Sequence, residues 1–245
     1  FYSNQYAGME MDKEFNASMG FFNAPGIGPY LFDHHNTRTY QYDMQLVDAY
    51  RANRHDIEAP KRNFIIFHLY GQHTAYGERH PADFAKFSVR SVKSKLRLSD
   101  EQRGVVADYL NATLYNDYVV DSIIRMFSDR NAVVLYFSDH GEEVYDFRLQ
   151  QGRTDLMTDV PRALHSQLDI PFMIYVSPRY AATHPQQVER IKRSIDRPFM
   201  TDNLPQVIFD LLGVRTYYYR PANSVINDAY RPQKQRMLQV GREYN

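Results

Sequence analysis

The chain has 245 residues, of which 43% are hydrophobic and 24% charged, a balance typical of a globular domain rather than a disordered or fibrous chain. Twenty-nine basic residues balance twenty-nine acidic ones, so no net field attracts nucleic acid. The absence of cysteine excludes disulfides, thiolate zinc sites and cysteine nucleophiles. No apolar run approaches the ~20 residues of a membrane helix, so we expect these residues to form a soluble domain.

The first half of the chain contains one predicted buried strand and one long helix. Before them, a loop is predicted over residues 23–29 and a helix over Tyr42–Arg51. Residues 63–69 are a short apolar run bounded by polar residues, which is typical of a strand buried on both faces of a parallel sheet. Ser99 and Gln102 have the spacing of a capping box. The apolar residues that follow recur at helical spacing and predict an amphipathic helix over 100–127.

The second half alternates strands with helices. Residues 132–137 and 170–176 are apolar runs that predict two further buried strands. Helices are predicted over 185–194 and 203–212. Such alternation predicts an α/β domain whose central sheet is flanked by helices. No repeat or linker interrupts the chain, so we predict a single domain over residues 1–245.

The sharpest chemical feature is Asp139-His140-Gly141-Glu142, directly after a predicted buried strand. Ligands of α/β sheets gather at the carboxyl ends of strands, and an adjacent carboxylate and imidazole can both bind one Zn²⁺. Gly141 is expected to allow a tight turn that directs both side chains outward. Glu142 is expected to orient one of the metal ligands without contacting the metal itself. The alternative interpretation is an Asp that caps a helix beside an unrelated His.

A second feature follows the first predicted strand, where His68 lies within the strand and His73 beyond it. His68 is expected to be a hydrogen-bonded core histidine, whereas His73 is better placed to contact an anion or a metal. Arg79 suits an anionic oxygen cluster because its guanidinium donates bidentate hydrogen bonds. Its alternative role is an ordinary surface ion pair.

Several segments together resemble one enzyme family. Residues 67–81, FHLYGQHTAYGERHP, resemble the His-x-x-Gly-Ser/Gln-His-x-x-Tyr-x-x-Arg-Tyr-Pro block of bacterial phosphoethanolamine transferases. Residues 138–143, SDHGEE, resemble their metal motif, and residues 3–5, SNQ, a segment that follows their nucleophile. Residues 115–121 and 201–214 are similar to their long helix and their late helix. The resemblance covers nearly the whole chain in the right order.

This resemblance implies the alkaline phosphatase/sulfatase-like α/β sandwich, with a mostly parallel central sheet flanked by helices and without its N-terminal part and membrane helices. It also implies that a zinc-bound Thr attacks the phosphorus of phosphatidylethanolamine, after which phosphoethanolamine passes to lipid A or another cell-envelope glycan. The expected location is the periplasmic face of the inner membrane. Zinc would lower the pKa of the nucleophile and screen the phosphoryl oxygens.

The resemblance also assigns roles to residues. Asp139 and His140 are implied to be zinc ligands, with Glu142 supporting them. His73 is implied to contact the phosphoryl group or a second zinc, with Arg79 behind it.

Three departures from the family pattern qualify these assignments. In the family a His follows the metal motif, and Arg153 aligns with it here. Arg153 or His165 is therefore expected to bind the substrate phosphate. In a second departure, His80 replaces the family Tyr of Arg-Tyr-Pro. The zinc-ligating Glu and nucleophilic Thr of the family precede the Ser-Asn-Gln segment. Residues 1–245 by themselves are therefore expected to be catalytically inactive and to bind zinc weakly.

Two other functions remain open at this point. A sulfatase or phosphodiesterase of the same superfamily would share the metal motif but release its product to water. A binding or structural module would have lost the chemistry altogether. The residues that precede Phe1 in the gene distinguish them, because a Thr nucleophile indicates a transferase and a Cys/Ser-x-Pro-x-Arg segment a sulfatase.

Overall fold

The computed structural model describes residues 1–5, 31–59, 61–154, 160–232, 236–237 and 243–244. Within those ranges the chain divides into two compact units. The first unit contains residues 1–123 and 144–151, and the second contains residues 124–143 and 152–245. The predicted loop over 23–29 lies outside the described residues.

Helices and strands are interspersed along the described part of the chain. In order they are β1 Tyr2–Ser3, α1 Asp43–Ala52, α2 Arg54–Ile57, β2 Phe67–His68, α3 Asp100–Phe127, β3 Val133–Phe137, β4 Glu143–Val144, β5 Gln151–Gly152, α4 Pro161–Leu168, β6 Phe172–Val176, α5 Pro178–Thr183, α6 Pro185–Lys192, α7 Leu204–Leu212, β7 Arg236–Met237 and β8 Glu243–Tyr244. The chain is thus mixed α/β, as predicted.

In the first unit, strand β1 pairs in parallel with β2, with Tyr2 opposite Phe67 and Ser3 opposite His68. Much of α3 also belongs to this unit. Its Ala112 is fully buried and packs with Tyr76 and Val144 in an apolar cluster. This packing explains why the apolar residues of α3 recur at helical spacing, since one stripe of the helix faces the core.

In the second unit, β3 pairs with β6 along five residues, from Val133 opposite Val176 to Phe137 opposite Phe172. The pairing is antiparallel, which differs from the parallel arrangement expected of neighbouring strands in the predicted sheet. The register supplies the reason. The segment that connects the two strands leaves β3 at Phe137 and enters β6 at Phe172, which lies opposite Phe137. It therefore does not cross over to the other end of the strands, as the connection between parallel strands must. An apolar cluster around Val207, Val225 and Ile226 packs against β6.

The long helix is confirmed with the predicted bounds, and so is its cap. The Ser99 amide donates to Gln102 Oε1 at 2.9 Å, and the Gln102 amide donates to Ser99 Oγ at 3.2 Å, which is the reciprocal bonding of a capping box. The strand predicted over residues 63–69 is shorter, because only Phe67–His68 pairs with another strand. No sequence signal predicted α4, which carries part of the site described below.

Among the described residues, no helix combines the length and apolar character that crossing a membrane requires.

Candidate metal and phosphate site

The turn after β3 presents an adjacent carboxylate and imidazole. The Asp139 side chain is 83% exposed and that of His140 is 27% exposed. The Ser138 hydroxyl donates to the His140 carbonyl at 2.8 Å, and the His140 amide donates to Asp139 Oδ1 at 3.0 Å. The residues that follow enter strand β4 and not a helix. The alternative interpretation of Asp139 as a helix cap is therefore wrong.

The hydrogen bond of His140 determines which ring nitrogen is available to a ligand. His140 Nδ1 lies 2.8 Å from the Gly141 carbonyl oxygen. A carbonyl oxygen can only accept, so Nδ1 carries the proton and donates it. In the neutral ring the lone pair is then on Nε2. Metal-binding histidines characteristically donate their other nitrogen to a carbonyl or carboxylate in this way.

The same ring faces the neighbouring carboxylate. His140 Nε2 lies 3.6 Å from Asp139 Oδ2. Two ligand atoms that each lie ~2 Å from a tetrahedral zinc are roughly 3.3 Å apart, so the pair has the spacing of two ligands of one ion. A nitrogen and a carboxylate oxygen are also donors that Zn²⁺ accepts. The two side chains fit half of a zinc coordination sphere.

In the part of the chain that the structure describes, no third His, Asp or Glu side chain joins Asp139 and His140 in a group close enough to hold a metal. Among residues 1–5, 31–59, 61–154, 160–232 and the two short C-terminal strands, no group of three or more His, Asp or Glu side chains is close enough to hold a metal. A zinc site here would need at least one further ligand for tight binding.

Gly141 is required for a different reason from the one expected. Its φ is not in the left-handed region. Instead, a Cβ at this position would lie 2.4 Å from the Ser166 carbonyl oxygen and 2.9 Å from the Gln167 carbonyl carbon. The Gly141 amide donates to the Gln167 carbonyl at 2.8 Å. The turn of residues 138–142, which we call the metal turn after its candidate ligands Asp139 and His140, therefore packs directly against the backbone at the end of α4. Only a glycine permits this contact.

Gln167 joins three segments around this turn. It is 1% exposed, and its Nε2 donates to Thr154 Oγ1 at 2.8 Å and to Glu143 Oε2 at 3.3 Å. Its Oε1 accepts the Thr154 amide at 2.9 Å. Because its own carbonyl accepts from Gly141, one buried residue fixes the metal turn and the loop that carries Arg153. Such buried polar groups are stable only when fully bonded.

The two candidates for phosphate binding lie on the segments that Gln167 connects. Arg153 is exposed and precedes Thr154. His165 lies on α4, and its Nδ1 is 3.0 Å from Asp169 Oδ2. Glu142 lies against Gly152, with its Oε1 3.5 Å from the position that a glycine Cβ would take. The backbone thus brings the segments of Asp139, His140, Arg153 and His165 into one neighbourhood of the second unit.

The other two predicted site residues belong to the first unit. His73 is exposed at the end of a turn in which its amide donates to the Tyr70 carbonyl at 3.1 Å. The Arg79 side chain is 15% exposed. It donates to the Thr74 carbonyl at 2.9 Å and to the His73 carbonyl at 3.3 Å, and it lies over the Tyr70 ring. Arg79 braces the His73 loop from behind, which is more than a surface ion pair.

The predicted hydrogen bonding of His68 is confirmed, since its Nδ1 lies 3.1 Å from Ser3 Oγ. The prediction that it lies in the core is wrong, because the residue is half-buried. His80 is buried, with its Nδ1 3.1 Å from the Pro81 carbonyl oxygen.

A buried carboxylate, which sequence reasoning missed, holds the start of the His73 loop. Asp43 is 3% exposed. Its Oδ1 accepts the Tyr70 amide at 2.9 Å and the Asn4 side-chain amide at 2.8 Å, and its Oδ2 accepts the Gly71 amide at 2.9 Å. Burial raises the pKa of the Asp43 carboxyl above its ordinary value, while these hydrogen bonds and the charge of Arg79 act in the opposite direction.

No periodic pattern identifies Asp43 or Gln167, because each acts through contacts between distant segments. The only signal was the Ser3-Asn4-Gln5 segment itself, whose Asn4 turned out to be a partner of Asp43.

Replacing Gly141 should destabilise the metal turn. In Gly141→Ala the new methyl group would meet backbone atoms that cannot move aside, so we expect a loss of about 2–3 kcal/mol in the free energy of unfolding. Urea denaturation measures it. Gly104→Ala is the matched control, because a Cβ there meets nothing within 4 Å and lies inside α3, where alanine is favoured by roughly 0.5–1 kcal/mol. Equal effects of the two substitutions would contradict the close approach.

Replacing Asp43 should destabilise the His73 loop. Asn at this position offers one carbonyl oxygen, whereas Asp43 accepts from three donors on two oxygens. Asp43→Asn should therefore leave one buried donor unpaired and lower the free energy of unfolding by ~1–3 kcal/mol. The control is Asp48→Asn on the same helix, whose carboxylate is 60% exposed in its pair with Arg51 and should contribute less than about 1 kcal/mol. If both variants unfold at the same urea concentration, the role given to Asp43 is wrong.

Comparison with known proteins identifies relatives across most of the chain. Phosphoethanolamine transferase EptC of Escherichia coli O18:K1:H7 is 36% identical over 195 residues, which cover 78% of this chain and 32% of that protein. Phosphoethanolamine transferase CptA of Salmonella typhimurium is 34% identical over the same share of each chain. The chain therefore spans about a third of the length of the curated relatives it matches.

The solved structures agree with the sequence relatives. The C-terminal periplasmic domain of EcEptC from Escherichia coli superposes with a TM-score of 0.75 at 28% identity, covering 97% of this chain and 63% of that one. The same domain in complex with Zn gives a TM-score of 0.76 at 28% identity, covering 95% and 62%. The fold is thus the alkaline phosphatase/sulfatase-like α/β fold.

The sulfatase family model matches residues 1–214, which is most of the chain. On that match, and on the fold that it shares with the EptC domains, the chain belongs to the sulfatase family.

Proposed function

We propose that the protein containing this chain is a zinc-dependent phosphoethanolamine transferase of the bacterial cell envelope. Phosphatidylethanolamine is the proposed donor, and lipid A or another envelope glycan is the acceptor. The reaction takes place at the periplasmic face of the inner membrane. The names of the sequence relatives, and a Kdo(2)-lipid A phosphoethanolamine 7''-transferase of Escherichia coli that is 27% identical over 158 residues, support this assignment.

The observation that carries the proposal is the geometry of His140. Its Nδ1 donates to the Gly141 carbonyl, and its Nε2 lies 3.6 Å from Asp139 Oδ2. Zn²⁺ held there would act as a Lewis acid, polarising a phosphoryl oxygen and making a hydroxyl nucleophile acidic. Asp139 and His140 supply two of its ligands. The nucleophilic Thr and the remaining ligand are proposed to precede the residues given.

The chain's own residues would then hold and orient the phosphoryl group. Gln167 maintains the distance between the metal turn and Arg153 through Gly141 and Thr154. His73 is proposed to contact the phosphoryl group from its loop, which Asp43 and Arg79 brace. Glu142 is proposed to support the metal turn from its position beside Gly152.

Arg153 is a better phosphate ligand than His165. A guanidinium remains charged at any physiological pH and donates two parallel hydrogen bonds to a phosphate. His165, in contrast, lies 3.0 Å from the Asp169 carboxylate, whose negative charge would repel a phosphate. We therefore assign the substrate phosphate to Arg153.

Zinc content and transfer should be lost together when a ligand is removed. The gene product including the residues that precede Phe1 would be purified, dialysed and analysed for zinc by mass spectrometry. Asp139→Asn and His140→Ala should each lose most of the metal and reduce transfer of phosphoethanolamine to lipid A at least ~100-fold. His55→Ala is the control, since the His55 side chain is fully exposed and lies 3.2 Å from its neighbour Asp56. A His140→Ala protein that retains its zinc would remove His140 from the site.

The same assay separates transfer from hydrolysis. Phosphoethanolamine recovered on lipid A supports a transferase, whereas free phosphoethanolamine without labelled acceptor supports a phosphodiesterase of the same family. If the wild-type protein retains zinc but forms neither product, a binding module is favoured.

Substitutions at the two candidate phosphate residues should have unequal effects. We expect Arg153→Gln to raise KM for the donor ~10-fold or more, because a charge-assisted bidentate contact contributes roughly 1.5–3 kcal/mol. Arg153→Lys keeps the charge and should recover part of the loss. His165→Ala should change KM less than ~3-fold. Steady-state kinetics decide the assignment, and a larger effect at His165 than at Arg153 would reverse it.

A further inference from the structure

A run of exposed residues follows helix α7, and the proposed reaction makes no use of it. The run extends from Leu212 to Tyr218, and every residue in it is exposed. Leu212 is 45% exposed, Val214 37%, Tyr217 84% and Tyr218 73%. We call this segment the tyrosine ridge. Single exposed apolar residues are ordinary on protein surfaces, but a contiguous group of them indicates an interaction site.

The ridge is held in shape by its own backbone contacts. Gly213 ends α7 in the left-handed conformation, with φ of 66°, and the Val214 amide donates to the Phe209 carbonyl at 2.9 Å. Farther along, Gln206 Nε2 donates to the Tyr218 carbonyl at 3.3 Å and Gln206 Oε1 accepts the Arg220 amide at 2.6 Å. These hydrogen bonds fix the backbone of the loop from which the exposed side chains project.

Tyr219, which directly follows the ridge, shows that this part of the fold can bury a tyrosine ring. Tyr219 is 8% exposed and its hydroxyl lies 3.0 Å from Asn227 Nδ2. Tyr217 and Tyr218 instead face outward, with their rings edge to face at 5.6 Å. Packing thus buries one of these three rings and leaves the other two largely exposed. Exposing two aromatic rings in this way forfeits the free energy of their burial.

The ridge is flanked by positive charge. Residues 212–223 contain Arg215 and Arg220 and no acidic residue. The Arg215 side chain is 59% exposed, although its guanidinium also lies 3.8 Å from the buried carboxylate of Asp210. Arg220 is exposed and its guanidinium donates to the Tyr217 and Tyr219 carbonyls. An anionic surface complements this arrangement.

From these observations we propose that the tyrosine ridge docks this domain onto the surface of a phospholipid bilayer that contains anionic lipids. Tyrosine is enriched at membrane interfaces because its ring enters the apolar region while its hydroxyl stays hydrated. Leu212 and Val214 add aliphatic surface, and the two arginines meet the negatively charged headgroups. A saccharide is a weaker match, because small-ligand sites are concave, whereas the ridge is exposed along its whole length. The inference does not depend on the transfer reaction.

The chain has no tryptophan, so one substitution creates a unique fluorescent reporter. In the purified 245-residue protein, Tyr218→Trp should leave the circular dichroism spectrum and the melting temperature unchanged, because the side chain is exposed. Phosphatidylcholine vesicles containing phosphatidylglycerol should shift its emission to shorter wavelength, and brominated lipids should quench it. Each engaged arginine should strengthen binding to the anionic vesicles on the order of fivefold relative to phosphatidylcholine alone, and added salt should weaken it.

The matched control is Phe64→Trp. Phe64 is a single exposed apolar residue, 58% accessible, that follows Lys61 and Arg62 in the sequence. It shares an aromatic ring and nearby positive charge with the ridge, but its neighbours in the sequence, Asn63 and Ile65, are not aromatic, so its emission should not change. In co-sedimentation, Tyr217→Ser combined with Tyr218→Ser should lower the vesicle-bound fraction several-fold.

Three results would overturn the proposal. They are an unchanged Tyr218→Trp emission with anionic vesicles, equal shifts in the two tryptophan variants, and a shift produced by a soluble phosphorylated oligosaccharide but not by vesicles. The last result would reassign the ridge to a glycan. None of these results bears on the zinc and transfer assays, so failure of the ridge and failure of the proposed function are distinguishable.

Discussion

The packing of Gly141 against the end of helix α4 is the constraint on which the site in the second unit depends. A side chain at this position would collide with backbone atoms of Ser166 and Gln167, so the turn can form only as a direct backbone contact. That contact places the Asp139 carboxylate and the His140 ring beside the segment that carries Arg153, through the side chain of Gln167. The chemistry of the turn is a consequence of a backbone contact some 25 residues away in the sequence.

The two units solve the same physical problem by similar means. In each, a loop that carries a candidate site residue is held by one buried polar side chain that accepts a hydrogen bond from at least one backbone amide of that loop. Asp43 serves the His73 loop, and Gln167 serves the Arg153 loop. Buried polar groups of this kind are costly unless fully bonded, so each one specifies a single conformation of the loop it holds.

The tautomer of His140 follows from its hydrogen bond, and it determines which ring nitrogen is available to a metal. Its Nδ1 faces a carbonyl oxygen, which leaves the lone pair of the neutral ring on Nε2. The exposed carboxylate of Asp139 lies on that side. Two adjacent residues of the sequence thus present two donors at a spacing suited to one zinc ion.

The sequence by itself determined the α/β class, the bounds of the long helix, the strands at 133–137 and 172–176, and the pairing of Asp139 with His140. These features are local, since capping bonds, apolar periodicity and adjacent residues are all encoded within a few positions. Only the tertiary structure decided the antiparallel register of β3 with β6, the close approach at Gly141, and the buried partners Asp43 and Gln167. Each of these depends on contacts between segments far apart in the chain, which no local pattern records.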